Sequence, residues 1–130
     1  MAKAKIVTNQ IDIEILKTKK IDELNVACNK SILDGFISTA LGSNYMYDFD
    51  YEAQINFAGM LTNLNANAST ETIIPWKTNL GIVNHTVDQF KQVFNDGLNF
   101  KQNKIGQYWI KKQTVLSAVS VDEINAVTFN

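Results

Sequence analysis

The stretch from Tyr47 to Thr86 constrains this chain most, because its apolar spacing switches from period two to a helical period and back before a new helix opens. Tyr45, Tyr47 and Phe49 alternate with Met46 and Asp48, the pattern of a short strand. From Ala53 the spacing becomes helical, with Phe57, Met60, Leu61 and Leu64 on one stripe. Asp48 or Asp50 can cap this helix, and Glu52 sits where the helix dipole favours an acid. After a polar loop at 65–70, residues 72–78 read as a strand. Pro75 removes a ladder donor there, which places the strand at an edge or makes Pro75 a strand end. Asn79-Leu80-Gly81 turns the chain and residues 82–85 return. Thr86-Val87-Asp88-Gln89 then has the spacing of a capping box at the head of a helix.

The rest of the chain fills in around this block. Ile21, Leu24, Cys28, Ile32 and Phe36 recur at helical spacing, which predicts a helix over 18–35 with Gly35 as its stop. Residues 36–41 and 45–49 flank Gly42-Ser43-Asn44, a turn cluster that predicts a hairpin. The helix opened by Thr86 runs to about Leu116, carrying Phe90, Phe94, Leu98, Ile105, Tyr108 and Trp109. Gly97 and Gly106 each weaken it by about 1 kcal/mol relative to Ala, so close packing or a bend is expected there. Ser120-Val121-Asp122-Glu123 is a second capping box, opening a short helix to about Ala126 before an extended tail with Val127 and Phe129. Near the N-terminus, Ile11, Ile13 and Ile15 alternate with Asp12 and Glu14, so residues 4–16 read as a strand. It forms either a weak hairpin across Asn9-Gln10 or one extended arm open to a neighbour's sheet edge. The expected fold class is α+β: a helix-dominated small single domain at 18–130 with short antiparallel hairpins and a long C-terminal helix, preceded by an N-terminal strand or arm at 1–17.

Composition narrows the function classes. A chain of 130 residues with 45% hydrophobic and 19% charged residues suits one globular domain with no need of a metal or disulfide staple. The net charge is −1 and every basic residue is Lys. Without Arg, the usual reader of phosphate and guanine, a nucleic-acid partner is not expected. The single Cys28 forbids an intrachain disulfide and falls on an apolar helix face, where it reads as a small buried hydrophobe. The N-terminus lacks a signal-peptide pattern and no apolar run reaches the length of a membrane span, so the chain is expected to be made in the cytoplasm, with no membrane partner.

No catalytic set is expected. His85 is the only imidazole and no catalytic partner for it is identifiable in the sequence, so it reads as structural or exposed, and a His-based metal cluster is excluded by count. Asp48, Asp50 and Glu52 are spaced i, i+2, i+4, yet a calcium loop needs Gly and Glu where Ala53 and Gly59 stand. Capping and helix-dipole roles account for them instead. No metal or cofactor is expected. The candidates for an interaction surface are aromatic: Tyr45, Tyr47 and Tyr51 around the hairpin, and Trp76 beside Pro75. Phe49 and Phe57 read as core. Trp109 on the long helix is either core or an anchor for a partner's pocket.

The order of these pieces carries a resemblance. Ile32-Leu33-Asp34-Gly35-Phe36 and a hairpin precede Tyr47-Asp48-Phe49-Asp50-Tyr51-Glu52-Ala53-Gln54-Ile55-Asn56. Then come Trp76-Lys77-Thr78, Val83-Asn84-His85-Thr86 and a long helix ending near Ser120-Val121-Asp122-Glu123-Ile124. Over residues 18–125 this resembles small tail proteins of tailed bacteriophages and defective prophages, the XkdW-like group. It is also similar to the uncharacterised domain at the C-terminal end of phage tail-fibre chains. The resemblance implies a non-enzymatic tail or baseplate component in the virion, with structural or adaptor duties near the tail fibres or host-attachment machinery. Its implied partners are other phage tail or fibre proteins, and self-association, a trimer included, is left open. A tail-fibre assembly chaperone that leaves the finished virion, and a carbohydrate-binding module, are the alternatives.

Overall fold

The structure is a computed structural model; it describes residues 2–130, with side chains from residue 10 onward apart from residue 11. The element order is α1 (Ala2–Leu33), β1 (Phe36–Ser38), β2 (Tyr45–Tyr47), α2 (Tyr51–Asn67), β3 (Ile73–Thr78), β4 (Gly81–Thr86), α3 (Val87–Ser117) and α4 (Val121–Asn125). The fold class is α+β, dominated by helix, with two antiparallel hairpins and a long helix towards the C-terminus. Two compact units divide the chain: Met1–Lys30 with Lys104–Asn130, and Ser31–Asn103. Helices α1 and α3 each contribute to both.

The expected N-terminal strand is a correction. Residues 4–16 belong to α1, which runs without a break past residue 17, so no separate arm exists. The three alternating isoleucines give a strand signal only locally. Ile13, Leu16, Lys17, Lys20, Ile21, Leu24, Ala27 and Cys28 are the half-buried or buried positions, and they follow helical spacing. Ile15, which strand alternation would bury with Ile13, is 61% exposed. No Gly or Pro interrupts residues 2–34, so the helical register has nothing to stop it before Gly35.

In the unit 1–30 with 104–130, Leu24, Val115 and Val127 form a buried cluster, with Ile21, Tyr108 and Phe129 packed against it. Lysines of α1 complete the polar accounting. Lys17 Nζ donates to the Leu116 carbonyl at 2.9 Å, one of the carbonyls that the C-terminus of α3 leaves without a helical partner. Lys20 Nζ donates to the Val127 carbonyl at 3.1 Å, fixing the tail. Ser120 caps α4 by accepting from Glu123 N. The Glu123 carboxylate accepts from Val119 N at 2.8 Å, one residue further back than the simplest capping box.

In the unit 31–103, an aromatic cluster forms the core. Phe36, Tyr47, Phe49, Phe57 and Phe90 are all buried. Phe36 and Phe49 meet edge to face at 4.9 Å, and Phe57 lies 5.0 Å from Trp76 and 5.6 Å from Phe90. Gly35 ends α1 with φ +104°, and a side chain there would strike the Tyr47 carbonyl at 2.5 Å. Gly97 lies under the Phe36 ring, where a Cβ would come within 2.7 Å of Cζ. Close packing, not a bend, is therefore the reason for Gly97. The hairpins pair Phe36 with Tyr47 and Trp76 with Val83. Asn79 ties them together, accepting from Met46 N through its side chain and donating its own N–H to the Met46 carbonyl. The Thr86–Gln89 capping box forms in both directions, at 2.9 and 3.1 Å.

Candidate functional site

The polar residues of the central block divide into two groups. Asp50 builds the fold: its carboxylate accepts from Ala53 N at 2.8 Å and caps α2. Gln54 builds it as well, donating to the Phe49 carbonyl at 2.9 Å and accepting from Lys101 Nζ at 2.6 Å. Asp48, Asn56, Trp76 and Lys77 have a different position. They line a cleft of about 330 Å3 together with Ala53, Pro75 and Ile82. Gln54 and Asn56 are two residues apart on α2, so they leave the helix on opposite sides. One is directed into the fold and the other into the cleft.

Each wall of the cleft has a local cause. Asp48 is held in the short link between β2 and the cap of α2. Its carboxylate meets Lys77 Nζ at 2.8 Å. By accepting this hydrogen bond, and by its charge, Asp48 raises the Lys77 pKa above its ordinary value. Both side chains are mostly exposed, so the pair is screened by water and its value here is geometric. Trp76 is half-buried; its ring packs against Phe57 and Phe90, at 5.0 and 4.9 Å, and its remaining surface borders the cleft. Asn56 is exposed, and its amide has no hydrogen-bond partner among the described residues.

Of the four aromatic candidates, only Trp76 lines this cleft. Tyr51 opens α2 and is 64% exposed, while Tyr45 is half-buried opposite Ser38. Tyr47 is a correction: it is 1% exposed and belongs to the core, not to a surface. Period-two alternation puts Tyr45, Tyr47 and Phe49 on one face of the strand, and that face is the buried one; exposed Met46 marks the other. Asn56 and Lys77 line the cleft as well, and neither stands out by aromatic content. Their signal was the Gln-x-Asn spacing and the residue following Trp76.

His85 is fully buried. Its Nδ1 lies 2.8 Å from the Val83 carbonyl, which can only accept, so Nδ1 carries the proton. In the neutral ring Nε2 is then an acceptor, and the Tyr47 hydroxyl, 2.7 Å away, donates to it. Burial pushes the Tyr47 pKa up to about 12, with the Tyr45 and Asp96 charges adding to the rise. Both ring nitrogens are engaged inside the core, so the imidazole serves packing and register between the two hairpins. Cys28 is buried as expected, its thiol donating to the Lys104 carbonyl at 3.4 Å, and burial raises its pKa against the opposing charge of Lys104. Among the described residues, no group of His, Cys, Asp and Glu is arranged to hold a metal ion.

The unit 1–30 with 104–130 has a concavity of another kind. An open groove of about 890 Å3 lies along the end of α3 and α4, with Trp109, Ile110, Ala118, Ala126 and Val127 on its walls. Trp109 is exposed rather than core, at 63%. The groove is larger than the Trp76 cleft and presents mainly apolar surface, with Gln113, Thr114, Ser117 and Glu123 as its polar members.

Neither a curated protein nor a solved structure matches this chain. A family model does, over residues 15–128, and the chain therefore belongs to the DUF4376 family, described as a domain of unknown function.

Proposed function

We propose that this chain is a non-enzymatic component of a bacteriophage tail, a structural or adaptor protein beside the fibres or receptor-binding machinery. The observation that carries the reading is the order of motifs from Ile32 to Ile124, which resembles small phage tail proteins and the C-terminal domain of tail-fibre chains. The state of the polar residues supports recognition over proton transfer. Both nitrogens of the one histidine are engaged in the core, and Asp50 and Gln54 hold backbone and Lys101. The surface includes a small mixed cleft and a mainly apolar groove, features suited to contact with partners.

Mass spectrometry of purified virions tests this reading: the chain is expected in the particle, in fixed ratio to fibre or baseplate proteins. A second reading, a fibre-assembly chaperone, draws on the apolar groove, which a transient client would cover. Its signature is abundance in infected cells together with absence from the particle, and that result would overturn the structural role.

A further inference from the structure

We propose that the Trp76 cleft is a binding site for a neutral carbohydrate, one pyranose ring at its centre. The inference stands on the cleft alone and holds whether or not the chain is retained in a virion. The two ionic groups in the cleft, Asp48 and Lys77, are opposite in sign and already paired at 2.8 Å. A phosphate would face the Asp48 carboxylate, and a metal cation would face the Lys77 ammonium. An uncharged ligand meets neither penalty, and a hydroxyl can donate to the carboxylate and accept from the ammonium at once.

Asn56 offers an acceptor and two donor hydrogens, none used among the described residues. Adjacent hydroxyls on a sugar ring match this donor and acceptor pair. Trp76 brings an aromatic surface whose position is fixed by Phe57 and Phe90, so little conformational freedom is lost when a ligand packs on it. Pro75 and Ile82 extend the apolar side of the cleft. A pyranose has the complementary character, with apolar C–H groups on its faces and hydroxyls around its rim. The volume of about 330 Å3 lies at the small end of ligand sites and suits one ring.

The test is a titration of the intact chain followed by amide and indole NMR signals. The probes are the methyl pyranosides of glucose, galactose and rhamnose, with N-acetylglucosamine; sorbitol, inorganic phosphate and calcium serve as controls. At least one pyranose is expected to shift the Trp76 indole N–H and the Asn56 side-chain amide saturably, with a dissociation constant on the order of millimolar. The exposed Trp109 indole should stay in place. Asn56→Ala, at an exposed position with no partner to lose, should keep the fold and weaken binding about fivefold to tenfold. Trp76→Phe should weaken it as well, and an unchanged amide spectrum for Asn56→Ala keeps the test valid if Trp76→Phe fails to fold. The proposal is overturned if no pyranose gives a saturable shift, if sorbitol or phosphate does so equally, or if Asn56→Ala binds as the parent chain does.

Discussion

In the unit 31–103, Phe57 is completely buried among Phe36, Tyr47, Phe49, Trp76, Phe90 and Phe94. In the unit 1–30 with 104–130, the corresponding large ring, Trp109, is 63% exposed, and its neighbour Ile110 is 70% exposed. The first unit buries its rings in one cluster and places polar groups around its cleft, while single aliphatic side chains such as Ile55, Leu80 and Ile82 stay exposed. The second secures a small aliphatic cluster with lysine-to-carbonyl bonds and leaves apolar area on its surface. A buried ring cluster and a broad apolar groove thus lie in different parts of one short chain. The first suits precise placement of a few polar groups; the second suits a broad contact.

Substitutions can break this comparison, beginning with the largest effect. Phe57→Ala should cost about 3–5 kcal/mol in chemical denaturation, because it empties the centre of a ring cluster that has little means to collapse. A loss under about 1 kcal/mol would show that the aromatic unit is far looser than described. Tyr47→Phe should cost about 1–3 kcal/mol, because it leaves the buried Nε2 of His85 without a donor. The same variant carries a pH signature. Tyr47 keeps its proton in the folded chain up to about pH 12 but releases it near pH 10 when unfolded. Its contribution is therefore full below pH 10 and lost as pH rises from 10 to 12, so Tyr47→Phe should flatten the alkaline fall in stability over that window.

Two glycines on α3 sharpen the contrast with a single type of change. Gly97→Ala should destabilise by about 1–2 kcal/mol, since the clash with the immobile Phe36 ring outweighs the gain in helix propensity. Gly106→Ala meets nothing within 4 Å and should stabilise by about 0.5–1 kcal/mol. Equal signs in thermal unfolding would contradict the packing assigned to one of them. The smallest effect is expected from Ile110→Ser, within about 0.5 kcal/mol for the isolated chain. A larger loss that depends on protein concentration would mean that a second copy already covers the groove.

Features with local causes were legible in the sequence. Both capping boxes, the Gly35 stop and the start of α2 depend on residues within a few positions of one another. The N-terminal segment was misread for the same reason: a window of three isoleucines holds a period-two signal, while the helical register emerges only when Lys17, Lys20 and Leu24 are included. The cleft was half legible. Trp76 stood out as a rare aromatic beside Pro75, whereas Asn56 and Lys77 are common residues that gain meaning only when α2 and β3 approach each other. Tyr47 was misplaced because its hydroxyl reads as a surface feature until His85, far along the chain, supplies the acceptor.

That last contact has an experimental consequence. The chain contains one imidazole, and its ring hydrogen and the tyrosine hydroxyl hydrogen are both shut away from water. Such hydrogens exchange with solvent only when the surrounding structure opens. A single nitrogen-15 label on histidine would thus turn His85 into a clock for the parting of the β1–β2 and β3–β4 hairpins, readable in a crowded assembly where no other signal of its kind arises from this protein.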